Sequence, residues 1–200
     1  YSRSHCSLDP KMKDFWRFSW DEMGKYDIPA MIEKVRQVSG QDKIYYIGHS
    51  MGTTGLMVMA NDRPEYLDYI HMASLLAPVA WVDHMKSPIR YLAPFSNSVG
   101  WIANFLGGGE FLPSNFIMDI LADLVCDSFL IDELCSSVLF VLCGFDEAQL
   151  NKTMLETITH HTPAGTSTNT VIHYAQGVNS KTFAHFDFGT EGNVGHYGQE

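Results

Sequence analysis

The chain has 200 residues, of which 46% are apolar, 18% charged and 12% aromatic. That composition excludes a disordered tail, a collagen-like repeat and a coiled coil. Its net charge of -10, from 13 basic and 23 acidic residues, argues against nucleic acid or an anionic membrane as the main partner. The apolar-rich uncharged stretch Tyr91 to Gly109 is broken by Pro94, Asn97 and Asn104, so it does not read as a transmembrane segment.

In chain order, the first periodic segment is Ile28 to Val38, with Ile28, Met31, Ile32, Val35 and Val38 on one helical face. Asp27 is the expected N-cap, Pro29 falls in the first turn and Gly40 supplies the stop. Lys43 to Ile47 is a short β-branched and aromatic run and reads as a buried strand. Thr53 to Asn61 reads as a helix, and Tyr69 to Leu76 as a second apolar strand closed by Ala77-Pro78. Helix, strand, helix, strand predicts a parallel sheet covered on both faces.

After Pro78 the texture changes. Trp81 to Leu106 is helical or irregular, Gly107-Gly108-Gly109 is a break, and helical spacing resumes from Phe116 to Leu155. Thr166 to Val178 predicts a further helix with Val171, Ile172, Ala175 and Val178 inward. The predicted fold class is α/β, with residues 1–80 as part of a sheet core and 81–200 as a mostly helical appendage. The chain opens at Tyr1 without Met and closes at Glu200 in a Gly- and His-rich stretch that reads as mid-loop, so the expectation is a piece of something longer. A core cut in this way predicts two to four sheet strands, an uncovered apolar face and poor solubility.

The four cysteines, Cys6, Cys126, Cys135 and Cys143, are too sparse for a disulfide scaffold and show no Cys-x-x-Cys spacing for structural zinc. Cys126 and Cys135 fit either a small closed loop in an oxidising compartment or a pair of buried free thiols. Asn151-Lys152-Thr153 is an N-glycosylation sequon. No metal site and no cofactor are called for.

The chemistry lies in Gly48-His49-Ser50-Met51-Gly52, which matches G-x-S-x-G. The pattern alone is weak, but here it follows a predicted buried strand and opens a predicted helix, as a nucleophile elbow must. A strand-to-helix reversal that sharp strains Ser50 and asks for glycine at 48 and 52, where a Cβ would clash. The Ser50 hydroxyl is thereby raised above the sheet edge, and the Met51 backbone N–H faces the oxygen that becomes negative in acyl transfer. No Gly-Lys-Ser/Thr follows, which excludes a P-loop.

Such a serine needs a His to take its proton and a carboxylate to orient that His, in the order Ser, Asp or Glu, His. Asp187 and His196 have the order but not the separation, and Asp187 reads as a structural loop carboxylate. His160, His161 and His173 read as polar-face residues of the appendage, and His49 points elsewhere on the turn. The base and its orienter are expected outside this chain, and the 200 residues alone are expected to be inactive.

Tyr1-Ser2-Arg3, the run from Phe15 to Ala30, and Tyr46-Ile47-Gly48-His49-Ser50-x-Gly52-Thr53-Thr54 resemble the acid lipase family, the gastric and lysosomal lipases and their insect relatives. Cys143-Gly144-Phe145-Asp146, Pro163 to Ser167 and Phe186-Asp187-x-Gly189 resemble its later blocks. Met51 stands where vertebrate members commonly carry Gln, and either residue offers a backbone N–H. The resemblance implies an α/β-hydrolase core with a helical cap and lid inserted near Trp81, a lid within about 110–143, and a Cys126–Cys135 cap disulfide with Cys143 free. It also implies a secreted or lysosomal glycoprotein, with Asn151 as a glycan site, that cleaves triacylglycerols or cholesteryl esters at a lipid–water interface. The first oxyanion donor would lie before Tyr1, and the catalytic Asp and His beyond Glu200. Trp16, Phe18, Trp20 and Met23 read as core beneath the sheet more readily than as an acyl pocket. The competing function is a lipase-like lipid-binding or carrier protein with a decayed triad, against which the intact G-x-S-x-G argues.

Overall fold

A computed structural model describes residues 3–95, 109–111, 144, 146–149, 151–154, 157 and 164–199. The chain divides into two compact units, Phe18–His84 with Gln176–Glu200, and Tyr1–Arg17 with Met85–Ala175. Residues 176–200 group with residues 18–84, and residues 1–17 with residues 85–175.

In the first of these units the helical path begins earlier than predicted. Ser19 is the N-cap: its hydroxyl accepts from the Asp21 N–H, and Glu22 accepts from the Ser19 N–H at 2.7 Å, closing a capping box. The chain then runs through α1 (Trp20–Glu22), a π-helical turn at Met23–Asp27, and α2 (Ile28–Ser39). Asp27 already has helical dihedrals and caps nothing, which corrects the predicted start. Gly40, at φ 69, ends α2 as expected.

The strands β1 (Ile44–His49) and β2 (Ile70–Leu76) pair in parallel, with His49 opposite Leu76, and α3 (Met51–Asp62) makes the crossover. Ile28 and Ile32 of α2 join Leu56 and Met59 of α3 and Tyr66 in one buried cluster, against which Ile44, Tyr46, Ile70 and Leu75 of the sheet pack. Both helices thus cover the same face. The opposite face carries Tyr45 and Ile47, 66% and 73% exposed, with Met72 and Leu76 also open. The expected two-sided cover is absent among the described residues. The predicted stripe on α2 is also narrower than its periodicity suggested, since Met31, Val35 and Val38 are exposed.

The contact between the π turn and α3 is made glycine to glycine. A Cβ on Gly24, in the π turn, would stand 2.5 Å from Val58 Cβ and 2.8 Å from the Gly55 carbonyl oxygen; one on Gly55 would stand 2.7 Å from Ile28 Cδ1. Gly24, within the π turn, thus lies directly against α3, the helix that follows Ser50.

Trp20 is buried and stacks on Phe183, with ring centroids 5.2 Å apart, while Phe18 and Met23 are only half-buried. The closing stretch is not a loop but α5 (Thr190–Tyr197), stopped by Gly198 at φ 76. Local side-chain bonds build it in: Asp187 Oδ1 accepts from the Gly189 N–H and from Asn193 Nδ2, and Asn193 Oδ1 accepts from the Phe188 N–H.

In the other unit, β3 (Glu110–Phe111) and β4 (Thr166–Ser167) form a short antiparallel pair, and Arg3 grips Glu110 with both guanidinium N–H groups at 2.6 and 2.8 Å. The helix α4 (Thr168–Ser180) starts two residues later than predicted, because Thr166 and Ser167 are spent on β4. Ile172 and Ala175 are buried as expected, and Val171 and Val178 are half-buried. His173, read as a polar-face residue, is 2% exposed. Trp16, half-buried, donates its indole N–H to the Pro10 carbonyl at 2.7 Å. The predicted lid segment beyond Phe111 and the three cysteines Cys126, Cys135 and Cys143 lie outside the described residues; Cys6 is a free, exposed thiol.

Candidate active site

Ser50 lies between the end of β1 and the first residue of α3 at φ 52 and ψ -118. For a residue with a Cβ this region is strained, at about 1–3 kcal/mol, and persists only where the surroundings impose it. Several bonds impose it here. The Ser50 N–H donates to the Leu76 carbonyl at 3.0 Å, at the end of the neighbouring strand, and the Ser50 carbonyl accepts from the Thr53 N–H at 2.9 Å. It accepts a further bond from Thr53 Oγ1 at 2.6 Å.

A serine before a helix ordinarily turns its hydroxyl back to cap the first turn. Ser50 does not, because its positive φ rotates the side chain away, and its Oγ bonds to no described residue. The hydroxyl is half-buried and uncommitted. The Met51 N–H, an orphan donor of the first turn, is likewise unused among the described residues.

The two glycines of the motif differ. A Cβ on Gly48 would meet Tyr46 Cε1 at 2.9 Å and the Gly52 backbone at 3.1 Å, so glycine is required there. A Cβ on Gly52 would find only Tyr46 Oη at 4.0 Å, so the expected clash at 52 is not present. The ring responsible, Tyr46, sits beneath the turn and donates its hydroxyl to the Gly52 carbonyl at 2.7 Å; burial pushes that phenol up from its ordinary value. The sequence reading names Tyr46 and Thr53 without a role, since nothing in the motif says which neighbouring polar side chains turn inward to hold it.

No described histidine bonds to Ser50 Oγ, and several are engaged elsewhere. His49 is exposed and makes no hydrogen bond to Ser50 Oγ. His84 pairs with Asp83, His71 meets the Tyr45 ring edge-on, and His196 packs against Phe188. His185 faces carboxylates with both ring nitrogens, Asp21 at 3.3 Å and Asp62 at 3.4 Å, and stacks on Tyr197. Asp187 is the loop carboxylate that was expected. His160 and His161 lie outside the described residues.

Burial raises the Asp21 carboxyl above its ordinary 3.8, against the lowering effect of the Phe186 N–H and of His185. The folded state therefore takes up this proton more readily than the unfolded chain, so the contribution is complete below about 3.8 and is lost as pH rises through the raised value. Asp21→Asn is expected to flatten the gain in stability on acidification across that window, read as the pH dependence of the urea midpoint.

Residues 2–99 match the family model described as alpha/beta hydrolase fold. The whole chain aligns at 41% identity over 203 residues with Lipase lipl-1 of Caenorhabditis elegans. It aligns at 38% over 200 residues with the lysosomal acid lipase/cholesteryl ester hydrolase of Homo sapiens, and at 38% over 206 with the gastric triacylglycerol lipase of Rattus norvegicus. The chain is similar to these lipases along its whole length, and residues 2–99 carry the alpha/beta hydrolase fold. It spans about half the length of these curated relatives, 50% of each. Among the described residues no helix is long and apolar enough to cross a membrane, and no group of three metal-ligating side chains gathers.

Proposed function

We propose that this chain carries the nucleophile of a serine ester hydrolase acting on neutral lipid esters, triacylglycerols or cholesteryl esters. The carrying observation is Ser50 at φ 52, held between β1 and α3 with its Oγ unspent. Relatives named as lipases and as a cholesteryl ester hydrolase supply the substrate class. In this mechanism Ser50 Oγ attacks the ester carbonyl carbon and gives its proton to a base; the carbonyl oxygen becomes an oxyanion that the Met51 N–H stabilises. The carbon–oxygen bond to the alcohol then breaks, the alcohol takes the proton, and water cleaves the acyl-serine to release the fatty acid. The reading puts the base, its carboxylate and a second oxyanion donor on sequence flanking residues 1–200.

The same reading takes residues 1–80 as hydrolase core and a cap inserted from near Trp81, with a Cys126–Cys135 bridge. It assigns a secreted or lysosomal route and a glycan on Asn151, an exposed side chain whose Oδ1 accepts from the Thr153 N–H at 3.1 Å. The test is fatty-acid release from emulsified triacylglycerol and from cholesteryl ester by the protein produced with its flanking sequence. Turnover of at least one is expected; binding of both lipids without hydrolysis of either would overturn the reading in favour of a carrier.

A further inference from the structure

Two residues with a Cβ flank the paired strand ends at positive φ, Ser50 at 52 after β1 and Ala77 at 46 after β2. The chain beyond Ala77 is fastened to the start of α3 through a single peptide unit on each side of Val79. The Val79 N–H donates to Thr53 Oγ1 at 2.9 Å, and the Val79 carbonyl accepts from Thr54 Oγ1 at 2.7 Å. Both threonines are fully buried. A hydroxyl has one proton, and Thr53 directs its own to the Ser50 carbonyl at 2.6 Å, so its remaining capacity is to accept, which is what the Val79 N–H requires. The result is a directional chain, Val79 N–H to Thr53 O–H to Ser50 C=O, with no second orientation open to it.

We infer that Thr53 is a positioning residue for Ser50: its hydroxyl anchors the Ser50 carbonyl to the turn leaving β2 and so fixes where the Ser50 Oγ points. This rests on Ser50 being the nucleophile. A backbone held at a strained φ relaxes when a restraint is removed, and Ser50 loses one of its three tertiary or local anchors with Thr53→Val. The isosteric valine also strands the Val79 N–H without a partner. Thr53→Ser keeps the whole relay.

The measurement is the second-order rate constant for labelling of Ser50 by an alkyl fluorophosphonate. It is made on the protein with its flanking sequence and normalised to the fraction folded. Thr53→Val is expected to slow labelling about 10- to 100-fold, the scale on which a misplacement near 1 Å acts. In ester turnover the same loss should fall on kcat with KM unchanged. Thr53→Ser should stay within about threefold of the parent. A purely structural role would lower the melting temperature of Thr53→Val while leaving the rate per folded molecule unchanged, and that result overturns the inference. If Thr53→Val gives no folded protein, Thr53→Ser decides: a loss beyond tenfold would assign the effect to the missing methyl and not to the hydroxyl. Absence of labelling in the parent itself would instead defeat the nucleophile reading on which the inference stands.

Discussion

Ser50→Ala is expected to lower kcat for ester hydrolysis by about 10⁶-fold, the scale seen when the serine of a hydrolytic triad is removed, and to leave stability within about 0.5 kcal/mol of the parent. The two halves of that expectation come from one geometry. Alanine keeps the Cβ, so the strain at φ 52 is unchanged, and the Oγ that disappears bonds to no described residue. All of the loss then falls on the chemistry. Ser50→Gly separates the terms further: it removes the nucleophile and also the strain, and should raise stability by about 1 kcal/mol or more. A stabilised, inactive variant is the signature of a residue kept in an unfavourable conformation for its reaction. Activity in emulsified substrate and the urea midpoint of the same preparations check both halves.

Gly24→Ala should have the largest effect on the fold. The new methyl would stand 2.5 Å from Val58 Cβ and 2.8 Å from the Gly55 carbonyl oxygen, and the second of these is backbone within α3 that cannot rotate aside. Overpacking of this kind costs about 1–3 kcal/mol and occasionally more, and contact with main chain puts Gly24→Ala at or above the top of that range. The displaced element is the helix whose first residue follows Ser50, so activity should fall with stability. Gly52→Ala is the control. Its methyl meets only Tyr46 Oη at 4.0 Å, and alanine is a better helix former than glycine by about 1 kcal/mol, so thermal melting should show it as stable as the parent or more so.

The contrast between these glycines also marks how far the amino-acid sequence could be read. The turn at Gly48–Gly52, the strand before it and the helix after it are local, and pattern with periodicity finds each of them. The start of the first helix is local too, but Asp27 and Pro29 imitate a helix start, and only the bonds between Ser19 and Glu22 reveal that the chain is already helical there. Gly24 lies outside the predicted helix and Gly55 looks like an ordinary helix glycine until the π turn and α3 are packed together. The roles of Tyr46, Thr53 and Thr54 are hidden for the same reason: their hydroxyls bond to groups of the turn and of Val79 beyond β2, which only the folded chain brings together. The closing helix α5 was hidden by its glycines and histidine, which carry little periodic signal, and was made by Asp187 and Asn193 bonding across a tight turn. The outward face of β1 reads as buried by composition, and Tyr45 and Ile47 remain exposed because both helices occupy the other side.

The most direct test of Ser50 as nucleophile is to treat the protein, produced with its flanking sequence, with an alkyl fluorophosphonate and map the adduct by peptide mass spectrometry. A single alkylphosphonyl group on the peptide containing Ser50, formed in step with loss of ester hydrolysis and absent in Ser50→Ala, is the predicted result. Hydrolysis abolished by an adduct on another residue, with the Ser50 peptide unmodified, would contradict it.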